Sequence, residues 1–308
     1  MSKLKKSEKR AAWFDQGMMA LQRIAPEASG YMCPLCYRIF RREELEMPNV
    51  LACEHVPPRS LGGRELVLTC FRCNSAAGAS VDAELSKYVT FQSFLRRDMR
   101  ESRKARFMKD GHALNVLLRW NAEALEIIDY GNRNAPCVAR GLENELKHDE
   151  AERRNWTLRL TLGNVYRTGW PEVSVLRAAY LAAFAKFGYQ YIADAALDVV
   201  REWINNPNQK VVNSCVFPVP DALDDVRSIV LVKEPAAFRS LAVQIGKFRV
   251  FMPVFEEAGD LYERLAKPHE EKIAVELSGR AFPWPRHPEF LFDFNRSFLA
   301  EMHRYLSN

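Results

Sequence analysis

The sequence predicts an α+β protein built in more than one part. Runs with helical spacing alternate with short strand-like runs along the whole chain, and no internal repeat is visible. Four of the seven cysteines form two Cys-x-x-Cys pairs near the N-terminus, a pattern that suits a small metal-stapled unit. The length, 308 residues, suits two domains or one large domain with a satellite.

Residues 3–24 carry Trp13, Met18 and Leu21 at helical spacing and predict an amphipathic helix, which "APEASG" (25–30) ends. Residues 31–53 predict two short strands around a charged turn, with "CPLC" (33–36) as the knuckle between metal ligands. "RELVLTC" (64–70) predicts a strand leading into the second cysteine pair, and residues 74–89 predict a helix. The Arg- and Lys-rich stretch 94–111 predicts a basic helix closed by an Asp-Gly turn. Further on, 113–120 and 156–162 are strand-like around a polar stretch at 130–154. Residues 171–204 predict two helices broken at Gly188. "SIVLV" (228–232) and "FRVFMPV" (248–254) predict strands. "FPWPRHP" (282–288) predicts a stiff loop before a last helix bearing Phe290, Phe292, Phe294 and Phe298. The expected division is a helix at 1–29, a metal-stapled domain at 30–111, and an α+β domain at 112–308.

The longest apolar stretch, residues 180–193, is interrupted by Lys186 and Gly188 and is too short to span a bilayer. The basic N-terminus lacks the apolar region of a signal peptide, so a cytoplasmic protein without a membrane partner is expected. Residues 1–111 carry 20 Lys and Arg against 13 Asp and Glu, whereas the remainder carries 24 against 26. The basic excess therefore accompanies the cysteine motifs and suits a polyanionic partner, although a solvated basic face is the commoner meaning of such an excess.

Zinc takes four soft ligands in a tetrahedron, and each Cys-x-x-Cys turn supplies two thiolates. Cys33, Cys36, Cys70 and Cys73 complete the set, and Pro34 stiffens the first turn. A site closed by four sulfurs can staple a fold but cannot activate water. The odd cysteine count argues against a disulfide framework. The single cysteines Cys53, Cys137 and Cys215 are expected to be small buried hydrophobes.

Between the pairs lies "EHVPPRSLGG" (54–63). A phosphodiester can be hydrolysed by one divalent cation and one general base acting on opposite sides of the phosphate. Adjacent strand residues face opposite ways, so Glu54 can hold an ion while His55 takes a proton from water. Gly62 and Gly63 let the backbone turn sharply or approach a phosphate. An isolated histidine would more often be a core residue satisfied by a carbonyl.

Taken in order, Cys33/Cys36, "EHVPP", "SLGG", "CFRCN" (70–74) and "GASVD" (78–82) resemble the HNH endonuclease family, in the branch where Glu-His replaces Asp-His. The likeness covers roughly residues 30–86, with a weaker echo in "AAYLAAFAKFGYQYI" (178–192). It implies the ββα-metal fold, a hairpin followed by a helix. Carried over by position, His55 is the general base and Glu54 the first ligand of a catalytic Mg²⁺ or Mn²⁺. Asn74 is the last ligand, an amide oxygen at the start of the helix. Glu65 takes the family's middle position in place of asparagine, where it can accept a hydrogen bond from His55 and raise its basicity. Asp82, eight residues after Asn74, is expected to support or pack rather than bind the ion, and Gly78 between them to clear space.

Arg96, Arg100, Arg103 and Lys104 share one side if the stretch is helical, with Arg97 nearby, and such a row can track a phosphate backbone. DNA, double-stranded and bound by charge and shape, is the expected partner. Any protein partner or self-association is assigned to residues 112–308, whose histidines (His112, His148, His269, His287, His303) show no ligand spacing. The reading is thus a metal-dependent endonuclease of bacterial defence or mobile-element type. The alternatives are a non-catalytic zinc module that binds nucleic acid, suggested by Glu65, and a purely structural interaction unit.

Overall fold

The computed structural model describes residues 6–109, 112–129, 131–151, 159–162, 165–211, 215–254, 260–271 and 274–291. The protein is mixed α+β, with four antiparallel sheets among these residues. It divides into two compact units, one formed by residues 1–85 with 168–308 and the other by residues 86–167.

In the first unit, α1 (Lys6–Gln22) buries Trp13, Phe14, Gly17, Ala20 and Leu21, spaced three and four apart. A side chain at Gly17 would collide with the Tyr31 ring, 2.3 Å from the Cβ it would add, so glycine is what lets the helix lie against that ring. Strands β1 (Tyr31–Met32) and β2 (Ile39–Phe40) form a small ribbon around the first cysteine turn. Strands β3 (Leu51–Val56) and β4 (Arg64–Cys70) form a hairpin that runs straight into α2 (Phe71–Ala79). The expected helix at 74–89 is in fact two. Ser80 leaves helical geometry, with φ −123° and ψ −96°, and α3 (Val81–Leu95) begins after it.

The centre of this unit is α5 (Trp170–Phe187), opened by Pro171 and buried on every side from Val173 to Phe187. Gly188 separates it from α6 (Tyr189–Ile192), and α7 (Asp198–Asn205) follows. Strands β9 (Val216–Pro218), β10 (Arg227–Glu234), β11 (Ser240–Ile245), β12 (Phe248–Met252) and β13 (Ser278–Phe282) form one sheet, ordered β13-β10-β11-β12-β9. Helix α8 (Leu261–Glu270) packs on it through Leu261 and Leu265. Of the expected last helix, Phe290 is buried and not helical, and Phe292, Phe294 and Phe298 lie outside the described residues.

The second unit is a four-stranded sheet ordered β7-β6-β5-β8, from β5 (Ser102–Lys109), β6 (His112–Trp120), β7 (Leu125–Asp129) and β8 (Arg159–Leu162). Helix α4 (Pro136–Ala151) lies in the stretch expected only to be polar, and Val138 and Ala139 place it against the sheet core.

The basic helix expected at 94–111 is not formed. Residues 102–109 alternate with period two: Ala105 and Phe107 enter the core with Leu114, Val116 and Leu118, while Lys104 and Arg106 are exposed. Arg103 therefore faces away from Lys104, and its guanidinium lies over the Phe91 ring. Arg96, Arg97 and Arg100 fall on the turns before the strand, and Arg100 pairs with Asp98 at 2.8 Å. The row that a helix would align is broken up. The expected Asp-Gly turn at 110–111 lies outside the described residues.

Candidate metal centre and the hairpin beside it

The cysteine turn is shaped by its own backbone. Cys33 N–H donates to the Arg38 carbonyl and Tyr37 N–H to the Cys33 carbonyl, each at 2.9 Å. The second pair sits where β4 becomes α2, with Cys70 as the helix N-cap. The Sγ atoms of Cys33, Cys36, Cys70 and Cys73 all lie within 4.8 Å of one another, the one such group of possible metal ligands among the described residues. Cys36 and Cys70 are 3.7 Å apart. Tetrahedral zinc with bonds of about 2.3 Å requires sulfurs roughly 3.8 Å apart. Backbone N–H groups of Cys70 and Cys73 point at the Cys33 and Cys70 sulfurs, each at 3.4 Å, as outer donors to metal-bound thiolates do. The residues fit zinc.

The sulfurs also share protons. Bonds from Cys33 favour the thiolates of Cys36 and Cys70, lowering them to about 6 and about 2. Hydrogen bonding to Cys36 and Cys70 pushes Cys33 strongly up. At Cys73 the bond to Cys33 lowers the value, but Cys70 and burial outweigh it and raise it to about 12. The shifts run in opposite directions because the four sulfurs share hydrogen bonds, and a bound metal takes all four as thiolates.

What holds the knuckle was not visible in the cysteine spacing. The Tyr180 hydroxyl donates to the Pro34 carbonyl at 2.9 Å, and Asn205 Nδ2 to the Leu35 carbonyl at 2.9 Å. Tyr189 donates to the Met32 carbonyl, and Tyr31 to the Leu68 carbonyl at 2.6 Å. Tyr180 and Tyr189, within the segment 178–192, thus hold the backbone of the cysteine turn.

The hairpin places Glu54 and His55 on different faces, as strand alternation requires, with a register shift between them. Gly62 has φ +71°, and a Cβ at Gly63 would lie 1.4 Å from the Pro57 carbonyl oxygen. The glycine pair is thus explained by the close approach of the hairpin's own backbone. Gly78, by contrast, has nothing within 4 Å of an added Cβ.

His55 is half-buried and pairs across the strands with Glu65. Glu65 accepts from Lys9 Nζ of α1 at 2.7 Å. Burial alone would raise its pKa, but Lys9, Lys6 and His55 lower it further than burial lifts it. The carboxylate expected to accept from His55 is bonded to Lys9 and stands across the strands from the imidazole.

Glu54 is only 4% exposed. Its Oε2 accepts from Arg177 Nη2 of α5 at 2.6 Å and from Thr69 Oγ1 at 2.9 Å. Arg177 Nη1 lies 3.4 Å from Glu54 Oε1 and 3.5 Å from Asp82 Oδ2. Asp82 Oδ1 in turn accepts from Ser174 Oγ at 2.5 Å. Burial would lower the Arg177 pKa, but Glu54 and Asp82 raise it on balance, so the guanidinium is firmly charged. Asn74 is half-buried on α2. A divalent ion needs six or more oxygens, several of them water for Mg²⁺. A shielded carboxylate already bound to a guanidinium and a hydroxyl does not offer that place, so Glu54 and Asn74 as arranged do not fit the ion.

Sequence reasoning passed over Arg177, although a lone arginine in the apolar run "VLRAAYLAAFAKF" signals a buried charge with a partner. Of the single cysteines, Cys53 and Cys215 are buried and Cys137 is exposed on α4, contrary to expectation. A cavity of about 570 Å³ opens beside the knuckle, lined by Cys36, Cys70, Cys73, Arg72 and Arg177 among others. No helix among the described residues is long and apolar enough to cross a membrane. No family model, curated protein or solved structure matches this chain.

Proposed function

We propose that this chain is a zinc-stapled protein that binds nucleic acid by charge, with the staple setting the fold rather than the chemistry. The observation that carries this reading is how charge divides between the two units. Residues 86–167 hold 16 Lys and Arg against 11 Asp and Glu, and the rest of the chain holds 28 against 28. The net charge of +5 is thus matched by one small sheet unit, while the rest of the chain balances. Lys104 and Arg106 stand exposed on the sheet face away from its core, and Arg96, Arg97 and Arg100 on the preceding turns add to the basic surface. Such a surface fits the evenly spaced charge of a phosphate backbone and gives no base readout.

The test is binding of a short DNA duplex to the zinc-loaded full chain across a series of salt concentrations. Affinity falls steeply with salt, and Lys104→Glu with Arg106→Glu weakens binding and lowers the salt slope by about 2. Binding that ignores salt, or that the double charge reversal leaves intact, overturns the proposal.

A second reading, hydrolysis of DNA by an HNH-type endonuclease, is favoured by one observation: His55 pairs across the hairpin with Glu65. His55 would take the proton of an attacking water while Glu65 fixes its ring. Glu54 and Asn74 do not fit Mg²⁺ or Mn²⁺ as arranged. Plasmid nicking in Mg²⁺ or Mn²⁺ that His55→Ala abolishes would establish this reading, and nicking unchanged by His55→Ala would remove it.

A further inference from the structure

We infer that Arg177 is the resident cation of the Glu54 site, so that the hairpin holds a guanidinium where a divalent ion would otherwise sit. The inference rests on the resemblance of the hairpin to a catalytic one and departs from what that resemblance implies.

Three observations point the same way. The bond between Arg177 and Glu54, at 2.6 Å, joins side chains only 3% and 5% exposed. The arginine comes from the stretch of α5 buried from Val173 to Phe187, so it cannot swing out to release the carboxylate without unpacking the core. The partners form a closed set: Thr69 satisfies Glu54, Ser174 satisfies Asp82, and Arg177 lies between the two carboxylates. A hydrated ion entering this set would meet a positive charge within a few ångströms of its first ligand. At that range one unit charge repels a divalent ion by enough to cost at least about a hundredfold in affinity.

Arg177 also lines the cavity beside the zinc knuckle. Shortening residue 177 and removing its charge therefore opens Glu54 and Asp82 to the cavity, where water can complete an ion's coordination.

The experiment uses the zinc-loaded full chain and Mn²⁺ as probe, read as paramagnetic broadening of the amide signals of residues 52–56. The wild type shows no selective broadening up to millimolar Mn²⁺, and Arg177→Gln gains it at concentrations at least about tenfold lower. Selective broadening of residues 52–56 in the wild type at submillimolar Mn²⁺ overturns the inference. A folded Arg177→Gln protein that gains nothing overturns it as well. If that variant does not fold, the wild-type measurement alone decides. DNA binding is measured separately and without Mn²⁺, so failure here leaves the nucleic-acid reading standing, and the reverse holds too.

Discussion

Around Cys33, Cys36, Cys70 and Cys73, four sulfurs converge on one point and the nearest outside groups are backbone N–H donors. Around Glu54, the point where an ion would sit is approached by a guanidinium and a hydroxyl instead. Cys70, Cys73 and Glu54 belong to the same hairpin and helix, and Cys33 and Cys36 come from the neighbouring β1–β2 ribbon. The difference lies in the partners supplied from α5. Tyr180 grips the knuckle backbone and leaves the sulfurs to face one another, whereas Arg177 neutralises the carboxylate. A ligand set is thus defined as much by what the surrounding helix sends toward it as by its own spacing.

The largest effect expected from this comparison is loss of the staple. Structural zinc in small cysteine sites contributes about 10–16 kcal/mol of apparent binding energy that is also folding energy. Chelation, or Cys70→Ser, should therefore abolish the cooperative thermal transition of the first unit, followed by near-ultraviolet circular dichroism. Cys215→Ser, a buried cysteine outside the group, should not change zinc content. A thermal transition that survives complete zinc removal breaks the comparison at its stronger end.

The Glu54 side should respond as a buried ion pair. Glu54→Gln keeps the shape but leaves the Arg177 charge without its nearest carboxylate in a site closed to water. Removing one partner of such a pair costs about 3–5 kcal/mol. Urea denaturation should show that loss in Glu54→Gln and well under about 1 kcal/mol in Asn74→Ala, on the half-buried face of α2. If the two variants lose alike, Glu54 is no better anchored than a half-exposed side chain, and the contrast with the sulfurs disappears.

Much of the first unit was legible because local rules and tertiary packing agree there. The cysteine turns, β4, the strand bearing Glu54 and His55, and the break at Gly188 follow from spacing, alternation and a breaker residue. The errors cluster where local signals compete. Residues 102–109 are dense in charge and look helical, yet Ala105 and Phe107 pair the stretch with β6 and make it a strand. Strands β7 and β11 and helix α4 lacked a distinctive pattern, and their identity comes from neighbours distant in sequence. Glu54 was legible as a carboxylate beside a histidine, but its partner lies 123 residues away. Only the isolated arginine in an apolar helix hinted at it.

The smallest effect lies on the opposite face of the hairpin and shows why the two faces need separate tests. Lys9 and Glu65 form an ion pair whose side chains are 29% and 26% exposed, so water screens what Arg177 and Glu54 feel almost in full. The Glu65 carboxyl titrates below its ordinary value because Lys9, Lys6 and His55 outweigh the cost of burial. Its folded-state value lies below its unfolded value, so the pair stabilises fully above the unfolded pKa of about 4.3 and loses that contribution as pH falls through the lowered folded value. Lys9→Ala should therefore cost a few tenths of a kcal/mol to about 1 kcal/mol at neutral pH, with no difference left at about pH 2. Urea midpoints of wild type and Lys9→Ala at the two pH values measure it. A difference that persists in acid would mean that Lys9 acts by packing on the Trp13 ring, 4.4 Å from its Nζ, rather than through the carboxylate facing His55.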